Sequence, residues 1–227
     1  MGDTGKVLLY VLGAIVVAGF LYWQYKAHQR KVAEFRAFAA KHGWQYLDRG
    51  DAKLENRFLD EPFGVGHDRQ ARHVFRGEHR DRRILAYEYS YKTYTTDGEG
   101  RRRAETHHFT LTSVYLPKPK PVLEIAREGL GRKLLGFVGV RDLQLESEQF
   151  NDTYRIKTDD DRFAYDILHP RMMEWMLEDP RAQRYGFRFE RGDLMLWDEG
   201  RLRLDDMMAR LDYLCDVLDR VPSYVWK

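Results

Sequence analysis

Cysteine is almost missing: Cys215 stands alone among 227 residues. No disulfide framework can form within such a chain, and the composition agrees with a reducing compartment. A basic surplus is missing too. The net charge is +2, of which +4 sits in residues 24–41 and none in residues 1–23, which leaves −2 for residues 42–227. A general nucleic-acid binder carries a basic surplus on its domain, so that class is set aside. Internal repeats and low-complexity linkers are absent. Catalytic signatures are absent as well. No GxSxG surrounds Ser113 or Ser147, and Gly64-Val65-Gly66 lacks the third glycine and the following helix of a nucleotide loop. No twelve-residue loop with a central Gly and a final Glu encloses Asp159, Asp160 and Asp161, so calcium is not implied.

Long apolar runs are equally scarce, and the one exception organises the chain. Val7 to Trp23 contains no charge or amide, and its only hydroxyls are those of Tyr10 and Tyr22. A helix of about 20 residues crosses the hydrocarbon layer of a bilayer, so residues 1–25 are expected to form a transmembrane anchor. Tyr22, Trp23 and Tyr25 suit the headgroup level. A cleaved signal peptide would need a basic start and a small-x-small site after the apolar core; WQYKAHQRK follows instead. Beyond the run, Lys26, Arg30, Lys31, Arg36 and Lys41 face one acid, Glu34. Cations resist translocation, so this side is expected in the cytoplasm, with the N-terminus outside. Residues 26–42 then read as a basic juxtamembrane helix, with Val32, Phe35, Phe38 and Ala39 as its apolar stripe and Gly43 as its cap.

Residues 43–227 are expected to fold as one α+β domain, a mainly antiparallel sheet with packed helices and a C-terminal amphipathic helix. Hydrophobic content of 43% with 14% aromatics is that of a folded chain. WQYL at 44–47 reads as a strand and residues 52–59 as a helical turn. A meander of 69–76, 83–95 and 103–116 follows, divided by GEHRD and TDGEG. In its middle strand Leu85, Tyr87, Tyr89 and Tyr91 point one way, and Ala86, Glu88, Ser90 and Lys92 the other. LPKPKP at 116–121 cannot be a central strand, because proline removes ladder donors. Short strands are expected at 143–146 and 153–157, and 129–139 has no assignment. Thr158 or one of Asp159–Asp161 caps a helix, Pro170 opens a second, and Phe187 to Trp197 form a hairpin. Leu204 to Val221 carry the final helix, which Pro222 ends.

The stretch ESEQFNDTYRIKTDDDRFAYDILHPRMMEWML at 146–177, followed by FRFERGDLMLW at 187–197, is similar to a family of bacterial membrane proteins, the domain-of-unknown-function group DUF3137. Members pair a membrane segment with a block patterned FN…F.V…D…A…L.P..M. The likeness covers about 146–197 and is weaker over the meander. It implies a bacterial, membrane-anchored protein, and it carries no catalytic residue, since the family has no assigned activity. Within the block Phe150, Tyr154 and Ile156 read as strand positions and Ala164 and Leu168 as helix core.

Among candidate chemistries the meander histidines come first: His67, His73, His79, His107 and His108. Zinc needs three or four converging ligands, and adjacent His107 and His108 point to opposite faces of a strand. Asp142, Glu146 and Glu148 have no spacing that fixes an acid–base pair, and Cys215 lies on the apolar face of the last helix. The tyrosine stripe is that of a half-buried sheet face, although stacked bases use the same pattern. No catalytic residue, cofactor or metal is therefore assigned. The expected function is a single-pass, membrane-tethered interaction or scaffold domain that binds a protein partner at the inner membrane surface. Two alternatives stand beside it. One is a membrane-anchored enzyme, such as a metal-dependent hydrolase built on those histidines. The other is an anionic-lipid-binding module that uses Lys26, Arg30, Lys31, Arg36 and the hairpin-tip Arg101, Arg102 and Arg103.

Overall fold

The alternating stretch at 83–95 becomes the spine of the molecule. In the computed structural model it is β3 (Arg82–Thr96), paired antiparallel with β2 (His67–His79) on one side and β4 (Arg102–Tyr115) on the other. The structure describes residues 3–58, 61–96, 98, 100, 102–127 and 141–227, with backbone alone for 3–9 and 141. Six more strands complete one antiparallel sheet: β1 (Gln45–Arg49), β5 (Leu123–Arg127), β6 (Arg141–Leu143), β7 (Tyr154–Thr158), β8 (Phe187–Glu190) and β9 (Asp193–Glu199). Their order is β1-β2-β3-β4-β9-β8-β5-β7-β6.

Both faces of this sheet are covered, which is why so few of its residues alternate between apolar and polar. Leu85, Tyr87, Tyr89 and Tyr91 lie with Phe109, Leu111, Met195 and Trp197 on one face. That face is roofed by α2 (Ala52–Glu55) through Leu54, and by Phe58 and Phe63 from the loop after it. The opposite face holds the larger core, with Ile84, Ala86, Val114, Ile125, Phe187 and Leu196. Over it lie α1 (Asp3–Lys41), α3 (Glu148–Thr153), α4 (Asp161–Ile167), α5 (Pro170–Glu178), α6 (Pro180–Arg184) and α7 (Met207–Arg220).

Local chemistry explains most boundaries. Asp160 caps α4, its carboxylate accepting from the Phe163 amide at 3.0 Å, and Pro170 stands at the first position of α5. Gly43 ends α1 in the left-handed region at φ 68°. The β2–β3 hairpin turns tightly on Arg80 and Asp81, both with positive φ, so the strands run farther than the GEHRD signal implies. Gly77 has a packing reason: a Cβ there would collide with the Trp44 indole.

Two expectations are corrected and one helix is added. Phe150 is a helical residue of α3, because Ser147 accepts from the Phe150 amide at 3.3 Å and opens a helix where strand was read. The strand expected at 143–146 is β6, which ends at Leu143. The Pro180 turn forms the short α6, capped by Asp179, which the sequence reading did not assign. Residues 129–139 lie outside the described residues.

The N-terminal helix divides in two. From Val32 to Ala39 its stripe is buried against the sheet, the Phe35 ring 4.9 Å from His73 and 5.6 Å from Phe75. From Tyr10 to Tyr25 its side chains are exposed, Val16 at 70% and Trp23 at 66%. Among the described residues no helix is long and apolar enough to cross a membrane, so the N-terminal helix is present but the membrane-spanning character expected of residues 1–25 is not found there.

Candidate functional site

Where α1 leaves the sheet, a polar cavity of about 480 Å³ opens between the helix and strands β2, β3 and β4. Trp23, Gln24, Ala27 and His28 form its helical wall, and Lys31 closes its inner end. The sheet supplies Arg72 and His73 from β2, Glu88 and Lys92 from β3, and His108 from β4. Arg201 enters from the loop after β9.

The β2 contribution depends on a bulge. Register between β2 and β3 shifts between Arg72 and Phe75, and His73 adopts φ 50°. An extra residue in one strand turns two neighbours to one side. Ala71 and Val74 can thus pack in the tyrosine core while Arg72 and His73 both line the cavity.

Glu88 is the anchor of the floor. It is 5% exposed, accepts from the Leu202 amide at 3.2 Å, and has the Lys31 ammonium at 3.5 Å and His108 Nδ1 at 3.5 Å. A buried carboxylate needs such partners. Lys92 pairs with Asp68 at 3.1 Å. Arg72 lines the cavity and donates its Nε to Gln70 Oε1 at 3.0 Å. Burial pushes His73 down to about 4, and the nearby Lys31 charge adds to the effect. Its ring is therefore neutral at pH 7, 2.7 Å from the Tyr46 hydroxyl. His108 is also lowered, by burial first and then by Arg201.

The seven cations expected at a membrane surface are distributed as follows. Lys26, Arg30 and Arg36 are exposed on α1, and Lys31 turns inward to Glu88. Arg102 lies over the Tyr94 ring at 5.3 Å, and Arg103 is exposed beside it. Arg101 lies outside the described residues. The histidines scatter. His67 is exposed, His79 meets Asp212 at 2.7 Å, and His107 bonds Thr93 at 2.8 Å and stacks on Tyr91. Among the described residues no group of three or more His, Cys, Asp or Glu is placed to hold a metal ion. Arg72, Glu88 and Arg201 were not singled out from the sequence. The one available signal was Glu88, an acid inside an otherwise apolar and aromatic strand.

No family model and no curated protein matches this chain. Among solved structures, the crystal structure of the mycobacterial trehalose monomycolate transport factor A, TtfA, is similar to it in fold. The TM-score is 0.55 at 14% identity, over 83% of this chain and 94% of that one.

Proposed function

We propose that this chain is a membrane-tethered α+β platform without chemistry of its own, which presents its sheet domain to a partner at the inner membrane surface. The observation that carries the reading is the division of α1. One half is welded into the core through Val32, Phe35 and Ala39, and the half before it exposes an apolar surface that the domain leaves uncovered. Lipid is the medium that covers such a surface without a further protein. The basic residues Lys26, Arg30 and Arg36 follow at the junction, as the headgroup region favours. The structural neighbour is by its name a transport factor, which fits an accessory role better than an enzymatic one. The DUF3137 resemblance points the same way, to a bacterial membrane-anchored protein.

The experiment is fractionation of the full chain and of a chain lacking residues 1–25, each washed in alkaline carbonate, with a fluorescent or phosphatase fusion at Lys227. Retention of the full chain only, with fluorescence and no phosphatase activity, is the expected result. Recovery of the full chain in the soluble fraction would overturn the reading.

A further inference from the structure

We propose that the cavity between α1 and the sheet is a phosphate-binding site, built to take the phosphate of an anionic lipid headgroup; this rests on the membrane-tethered reading for the lipid, and on the cavity alone for the phosphate. The sign of the charge inside the cavity is the first argument. Lys31 is matched by Glu88 and Lys92 by Asp68. Those pairs cancel, and the remaining lining cations are Arg72 and Arg201. Two guanidiniums in excess call for an anion, and the planar fork of arginine suits phosphate oxygens. Arg72 is steadied for this, because its Nε donates to Gln70 while the side chain lines the cavity.

The second argument is how the floor is fixed. Glu88 is held by the Leu202 amide, one residue after Arg201, so the buried carboxylate also positions the arginine's loop. His108, beside Arg201 and Glu88, offers a ring nitrogen at the same wall. A site of this kind is assembled before its ligand arrives, which reduces the ordering cost of binding.

The third argument is place. The cavity wall includes Trp23, where the apolar half of α1 ends, and the Gln24 that follows it. A phosphate bound by Arg72 and Arg201 would therefore lie beside the aromatic girdle expected at headgroup level. A volume of about 480 Å³ accommodates a headgroup phosphate with its glycerol.

The test uses the full chain in nanodiscs of phosphatidylcholine. Two probes are titrated, inorganic phosphate and short-chain phosphatidic acid, with binding read by native mass spectrometry and by the shift of the His108 ring resonances. Arg72→Gln/Arg201→Gln is expected to weaken phosphatidic acid binding at least tenfold. Arg162→Gln/Arg171→Gln, which removes the same charge from the exposed surfaces of α4 and α5, is expected to change it less than twofold. Both variants alter exposed or cavity-lining cations, and circular dichroism together with an unchanged thermal midpoint certifies their fold. Equal loss in both would overturn the site, because it would show diffuse attraction only. Tighter binding of phosphatidic acid than of inorganic phosphate supports the headgroup source. Equal binding of the two, abolished by Arg72→Gln/Arg201→Gln, would overturn the lipid assignment while the phosphate site stands. A chain that never enters the discs yet still binds inorganic phosphate would sink the tether and not the site.

Discussion

His73 and Arg188 show how differently two buried cationic residue types are accommodated. His73 is 5% exposed and lowered to about 4, so the folded chain resists its protonation. An unfolded histidine takes up its proton near pH 6.5. Between pH 6.5 and 4 the unfolded state therefore binds more protons, and stability falls as pH falls through that window. The full effect is on the order of 3 kcal/mol, complete only below pH 4. His73→Asn keeps a residue that tolerates positive φ and removes the titration. It is expected to lower stability at pH 7 and to flatten the decline in thermal midpoint between pH 6.5 and 4.5, as scanning calorimetry at several pH values would register. Arg188 cannot shed its charge. It is 1% exposed, with Glu124 at 2.7 Å, Glu190 at 3.3 Å, the Glu61 carbonyl at 2.7 Å and the Trp197 ring at 4.3 Å. Arg188→Met leaves two buried carboxylates facing an apolar side chain, and is expected to destabilise by about 3–5 kcal/mol in urea titration. Adding Glu124→Gln should recover part of that loss; no recovery would mean that the carboxylates are not the source of the damage.

At the scale of elements, legibility followed the strength of local signals. The β3 alternation was readable because Leu85, Tyr87, Tyr89 and Tyr91 repeat every second residue, and those four do share one core. Asp160 and Pro170 were readable because capping is a chemistry of single positions. Helix α3 was not, since six residues give too little periodicity, and Phe150 and Tyr154 suit a strand as well as a helix. The cavity was illegible for another reason. Arg72, Glu88 and Arg201 come from three distant segments, and the bulge that turns Arg72 inward breaks the two-residue period. The stalk half of α1 was read correctly from Val32, Phe35, Phe38 and Ala39, and its attachment makes a prediction. Phe35 is 3% exposed and packs on Tyr46, His73 and Phe75. Phe35→Ala should cost about 3–5 kcal/mol of stalk docking. The expected sign is faster amide exchange over residues 28–41 with protection in β3 unchanged. Equal loosening of both would show that the stalk is no separate unit. By the same logic Asp160→Ala should cost about 1 kcal/mol through α4 alone.

At the scale of the molecule, one end is distinguished from the other. Trp23 and Gln24 share a cavity with Lys92 and Thr106, facing positions on β3 and β4. From Lys92 the β3 strand runs four residues farther to Thr96, a reach of about 13 Å at ordinary strand rise. The β3–β4 hairpin therefore projects from the same end at which the apolar half of α1 departs. Near its end the strand residues Tyr94, Thr96, Arg102 and Arg103 are exposed, and Arg102 lies over Tyr94. An aromatic ring beside two arginines is the composition that headgroups favour. The opposite end carries the β8–β9 turn at Arg191, 57% exposed at its side chain. If α1 is the tether, these two ends stand at different depths. Thr96→Cys and Arg191→Cys, each labelled with a fluorophore, should separate in vesicles that carry a headgroup-linked nitroxide. Buried Cys215 stays unlabelled in the folded chain. Position 96 is expected to be quenched strongly and position 191 hardly at all, because a nitroxide quenches a fluorophore only on close approach. Quenching at 191 instead would place the membrane against the other end, and both the tether and the headgroup site would then have to be abandoned together.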